Sequence, residues 1–97
     1  MGYYVEAYIV IKQKELYKLE QDLIECVADP DISPYKQDKL KLFACGKSYY
    51  LEEFIDNIQK LDYYEMYVLG EDVGDIQFYA SEGCDYDLTV ERKVTWN

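Results

Sequence analysis

The chain has no histidine. Imidazole base catalysis is therefore excluded, together with the Ser–His and Cys–His pairs that activate most nucleophiles. It also lacks any apolar run near 18 residues, the length a membrane-spanning helix needs. Proline occurs only twice, at Pro30 and Pro34, and both fall in one stretch, so a single long loop is expected at 29–38. Cysteine occurs three times, at Cys26, Cys45 and Cys84. An odd count without C-x-x-C spacing suits a reducing compartment, and a cytoplasmic location is expected. Cys26 and Cys45 fall in predicted helix and strand and are expected to pack as small hydrophobes, whereas Cys84 falls in a predicted, exposed turn.

Basic charge is scarce in one half of the chain only. Residues 1–47 carry eight acids and seven bases; residues 48–91 carry twelve acids and one base, Lys60. Arg92 and Lys93 bring the total to −10. A field of that sign repels nucleic acid and anionic membrane and attracts basic partners. Direct DNA or RNA binding is disfavoured, because affinity there rests on cationic contacts to phosphate. The first residues read neither as a signal peptide nor as a myristoylation site, since position 6 is Glu6 where serine or threonine is wanted.

What is abundant is apolar and aromatic. Apolar residues make up 49% of 97 residues, enough for one folded domain spanning 1–97. Residues 3–11 alternate as a strand: Val5, Ala7, Ile9 and Ile11 on one face, Tyr4, Glu6, Tyr8 and Val10 on the other. Residues 13–28 have helical spacing through Leu16, Leu19, Leu23, Ile24 and Val27, and Asp29-Pro30 ends them. Residues 39–45 form a short strand whose lysines mark it as an edge. Ser48 is the expected N-cap of a second helix with the apolar stripe Leu51, Phe54, Ile55, Ile58 and Leu61. Its Glu52, Glu53 and Asp56 suit the positive end of the dipole.

Residues 63–69, 75–80 and 86–97 then form a three-stranded antiparallel meander, with Ile76, Phe78 and Ala80 turned inward. The last strand alternates over twelve residues, Tyr86, Leu88, Val90, Arg92, Val94 and Trp96 against Asp87, Thr89, Glu91, Lys93, Thr95 and Asn97. The order βαβαβββ predicts an α+β two-layer sandwich, a mostly antiparallel sheet with two helices on one face. Its first half is loosely ferredoxin-like.

No motif specifies chemistry. Cys45-Gly46-Lys47-Ser48 matches the end of a phosphate-binding loop, but the glycine required five residues earlier is Lys41. Asp29-x-Asp31 and Asp85-x-Asp87, the latter near Glu82, offer hard oxygen ligands, yet neither follows a calcium loop, and alternation in a strand explains the second pair. No cofactor, metal or catalytic residue is nominated, and an enzyme is not expected.

Tyrosine is the unusual feature, with twelve residues. Interleaved with carboxylates on an open sheet face, it would supply rigid contact area for a basic partner. The nominated partner-binding residues are Tyr4, Glu6, Tyr8, Glu65, Tyr67, Tyr79 and Glu91 on that face, with Glu52, Glu53 and Asp56 on the helix. The expected function is a non-catalytic, acidic protein-binding module that occupies a basic or nucleic-acid-binding site on another protein. In size and charge alone it is similar to small acidic phage inhibitors of host defence nucleases, a nucleic-acid-mimic, anti-defence role. The alternative is a homodimer formed through the tyrosine face.

Overall fold

The computed structural model describes residues 4–19, 31–71, 74–90 and 94–96. The elements are β1 (Tyr4–Lys12), a 3-10 helix (Gln13–Lys18), β2 (Asp31–Pro34), β3 (Lys39–Lys47), α1 (Ser48–Ile58), β4 (Tyr64–Leu69), β5 (Ile76–Ala80), β6 (Leu88–Val90) and β7 (Val94–Trp96). Five strands form one sheet in the order β2-β3-β1-β4-β5, and all its pairs are antiparallel. The protein is thus α+β and mostly sheet.

Because β3 and β4 both run antiparallel to β1, they are parallel to each other, joined by α1 and separated by β1. A split β–α–β unit therefore lies in the middle of the chain. The first half, where a ferredoxin likeness was expected, instead places β1 and β3 as direct antiparallel neighbours.

One sheet face packs against α1. Val5, Ala7, Ile9 and Ile11 of β1, Leu40, Leu42 and Ala44 of β3, and Met66 and Val68 of β4 bury against Leu51, Phe54 and Ile58 of α1, with Leu19 and Leu61 closing the ends. The registers Ala7↔Ala44, Ala7↔Val68, Ile9↔Leu42 and Ile9↔Met66 place these side chains in rows across three strands. Burying each large aliphatic side chain is worth roughly 1.5–3 kcal/mol, so this layer dominates the stability of the fold.

Several expectations change. Residues 31–34 are an edge strand rather than loop, and Pro34 is tolerated there because an edge position needs no second hydrogen-bond partner. β3 is accordingly an inner strand, not an edge. The capping position of α1 is Lys47, with extended backbone (φ −68°, ψ 141°) and no side-chain cap, while Ser48 is already helical; the first turn carries no acid. The 3-10 helix takes the start of the expected 13–28 helix, whose residues 20–30 lie outside the described residues.

β5 has the opposite facing from that expected. Met66↔Tyr79 and Val68↔Gln77 put Tyr79 and Gln77 on the α1 side, whereas Tyr67↔Phe78 and Leu69↔Ile76 put Phe78 and Ile76 on the other. Nor does 86–97 continue the meander. Tyr86 has a positive φ of 53°, which ends any extended run, and β6 and β7 pair with each other as a separate ribbon. The register Leu88↔Trp96, Thr89↔Thr95, Val90↔Val94 pairs even positions with even and odd with odd. The two strands therefore share one alternation of period two in the sequence.

Candidate functional site

The second sheet face is not an open tyrosine surface. The segment after β5 folds back across it, so that Val10 is fully buried against Leu88, with Tyr8, Tyr35, Tyr63, Tyr67 and Leu69 packed around them. Polar groups fasten this segment. Glu65, fully buried, accepts hydrogen bonds from the Asp87 N–H and the Leu88 N–H, both at 2.8 Å. Burial raises the Glu65 carboxyl above its ordinary range, although the two N–H groups oppose the shift.

Lys39 is buried beside it. Its ammonium bonds the carboxylates of Asp85 and, at 2.8 Å, Asp87, and lies 5.1 Å from the centre of the Tyr63 ring. Lys36 adds a bond to Asp87 at 3.2 Å. Burial pushes the Asp87 carboxyl up, but Lys39 and Lys36 outweigh it and hold it below the usual range. Asp85 is lowered by Lys39 and by the Tyr63 hydroxyl, which donates to it at 3.2 Å. Both aspartates of the Asp85-x-Asp87 pair are thus committed to protein cations. Among the described residues no group of three or more Cys, Asp or Glu is placed to hold a metal ion.

A third internal carboxylate, Glu15 of the 3-10 helix, accepts from the N–H groups of Asp62 (2.9 Å) and Tyr63 (3.2 Å). It fixes the chain as it leaves α1 for β4. Burial raises its carboxyl, but those N–H groups and Lys18 prevail and lower it. Cys45 and Cys84 are reversed from expectation, and Cys26 lies outside the described residues. Cys45 is exposed on the second face, and Cys84 is buried, which raises its thiol pKa.

These observations divide the nominated residues. Glu65 is corrected outright: a carboxylate with no exposed surface and two N–H donors is part of the frame and touches no partner. Tyr67 is half-buried against Phe78, ring centres 4.7 Å apart. Tyr8 is half-buried and donates its hydroxyl to Glu6 at 2.8 Å; burial first, then Glu6, push its pKa up to about 12. Tyr4 and Glu6 are exposed on that same face. Glu53 is exposed on α1, and Glu91 lies outside the described residues.

The other three come together. Between α1 and the β4–β5 edge lies a groove of about 430 Å³ lined by Val5, Ile55 and Val68 and by Glu52, Asp56, Gln59, Gln77 and Tyr79. The helical spacing of Glu52, Ile55, Asp56 and Gln59 puts all four on one face, forming one wall. Gln77 and Tyr79 form the other, and the Tyr79 hydroxyl donates to Gln77 Oε1 at 2.8 Å. The floor is apolar, the rim carries two exposed carboxylates, and among the described residues no lining residue is basic. This geometry can hold an apolar or aliphatic stem and neutralise a cation at its end.

Sequence reasoning nominated Glu52 and Asp56 for charge and Tyr79 for a different face. It missed Gln77 and Gln59. The one available signal was the i, i+4 and i, i+7 spacing of Glu52, Asp56 and Gln59.

No protein-family model, no curated protein sequence and no solved structure matches this chain.

Proposed function

We propose that the chain is a non-catalytic, acidic protein-binding module that occupies a basic site on a partner protein, and that the α1–β5 groove is its contact surface. The observation that carries this reading is the groove itself, where Glu52, Asp56 and Tyr79 converge over an apolar floor with no lining cation among the described residues. Net charge of −10 steers the encounter with a basic partner, and the groove supplies the local complementarity. If the partner's site ordinarily holds nucleic acid, occupancy inhibits it stoichiometrically, as a nucleic-acid mimic does.

The test is affinity capture with the full chain and with the Glu52→Lys/Asp56→Lys double variant, washed at low and high salt. The expected result is one basic protein retained by the wild type at low salt, released as salt rises and absent with the variant. Equal retention by both proteins would remove the groove from the interface. Retention that ignores salt would remove the electrostatic basis.

A further inference from the structure

We infer that the open edge of β5 takes an extended segment of the partner as a sixth strand, one whose residues alternate basic and apolar. The inference rests on the protein-binding reading above and specifies how the partner is held.

β5 is last in the sheet order and, among the described residues, pairs only with β4. The hairpin is bracketed by two hydrogen bonds, the Gly70 N–H to the Asp75 carbonyl (2.8 Å) and the Ser81 N–H to the Tyr64 carbonyl (3.0 Å). Antiparallel pairing alternates, so residues 77 and 79 exchange their backbone bonds with β4 while residues 76, 78 and 80 aim theirs away from the sheet. Of these, the Ile76 N–H bonds the Gly74 carbonyl. The Phe78 and Ala80 N–H groups and three carbonyls form the edge a new strand would meet.

The two sheet edges are not equivalent. β2 is four residues long, opens with Asp31 and closes with Pro34, features that block strand addition. β5 reads Ile-Gln-Phe-Tyr-Ala, with neither charge nor proline. Its protection from like strands comes from elsewhere. A second copy would bring another β5 without a basic residue and a second pair of groove carboxylates, at a net charge of −10 per chain. Charge therefore selects a basic, foreign segment over self-pairing.

Side-chain pattern follows from the pleat. A strand laid beside β5 sends alternate side chains to opposite faces. On the α1 side they pass Gln77 and Tyr79 and meet Glu52 and Asp56, which suits lysine or arginine. On the other side they meet Ile76 (39% exposed) and Phe78 (40% exposed), which suits valine, isoleucine or leucine. Main-chain bonds at an edge with alternate side chains in a groove are a recurrent way of holding an extended peptide.

The experiment uses the full chain and a library of acetylated, amidated hexapeptides alternating Lys/Arg with Val/Ile/Leu, read by fluorescence polarisation. The tightest peptide is then N-methylated at one backbone amide at a time. Strand addition predicts a loss of roughly five- to tenfold for amides of one parity and little change for the other parity. The Glu52→Lys/Asp56→Lys variant should weaken the unmodified peptide by at least as much.

Equal tolerance of N-methylation at both parities, with the charge variant still weakened, would overturn strand addition and leave the groove reading intact. A library without a binder would likewise overturn it, while the affinity capture above still decides the groove. Binding indifferent to methylation, charge reversal and salt would overturn both. A sedimentation dimer dissolved by Ala80→Pro would show that a second copy takes the edge instead.

Discussion

Replacing Lys39 with methionine keeps the volume of its stem and deletes its charge. In the native protein the Lys39 side chain is 5% exposed and holds Asp85 and Asp87, the latter at 2.8 Å and itself 6% exposed. At that distance and an effective dielectric constant near 20, attraction to Asp87 alone is about 6 kcal/mol, much of it offset by desolvation of both ions. Deleting one partner is the costlier event, because Asp87 remains inside with only the half-exposed Lys36 beside it. A loss of about 3–5 kcal/mol at pH 7 is expected. At roughly 4–8 °C per kcal/mol for a domain of this size, the melting temperature should fall by more than ~10 °C.

The assay is urea unfolding of Lys39→Met and wild type at neutral and acid pH, followed by circular dichroism. The Asp87 carboxyl is depressed in the folded wild type. Its contribution is therefore complete above the unfolded value of about 3.9 and is lost as pH falls through the folded one. In the variant the unpaired carboxyl takes a proton at higher pH, so the gap between the proteins should narrow as pH drops below about 5. Adding Asp87→Asn to the variant should recover part of the loss at pH 7. A deficit below about 1 kcal/mol, or one unchanged by acid, would refute the account of a buried ion cluster.

Two further outcomes follow from other carboxylates and hydroxyls. Glu15→Ala leaves the N–H groups of Asp62 and Tyr63 without their acceptor and should cost about 1–3 kcal/mol in urea titration; a change within error would show that water replaces it readily. Tyr8, whose hydroxyl is pushed up from 10.0 to about 12, favours the folded state only while it keeps its proton. Unfolded chains ionise first, so wild-type stability should fall between pH 10 and 12 more steeply than that of Tyr8→Phe, measured by thermal melts across that range.

Local periodicity was a good guide where one alternating set was plainly apolar. In β1, Val5, Ala7, Ile9 and Ile11 left little choice of face, and α1 was legible from Leu51, Phe54 and Ile58. In β5 both sets offered aromatic or apolar groups, Ile76 and Phe78 against Tyr79, so the facing depended on register with β4, a property of two strands at once. β6 and β7 pair in a register that keeps parity, so one unbroken alternation concealed two strands. Of the β3 lysines that suggested an edge, Lys39 is instead neutralised by Asp85 and Asp87, 46 and 48 residues away. For the groove, sequence supplied the acidic helix face but not the strand opposite.

The two anchors of the folded-back segment, Lys39 and Glu65, stand on β3 and β4, and β1 lies between those strands. Neither anchor alone describes a binding place for residues 85–88; the place exists only once β1 has acquired a neighbour on each side. Assembly of the sheet must therefore precede docking of this segment, and docking gives completion of the sheet a chemical signature. The amide hydrogens of Asp87 and Leu88, each held by Glu65, should then be protected late in refolding and exchange early in unfolding. Residues 85–88 would serve as the latch that closes last.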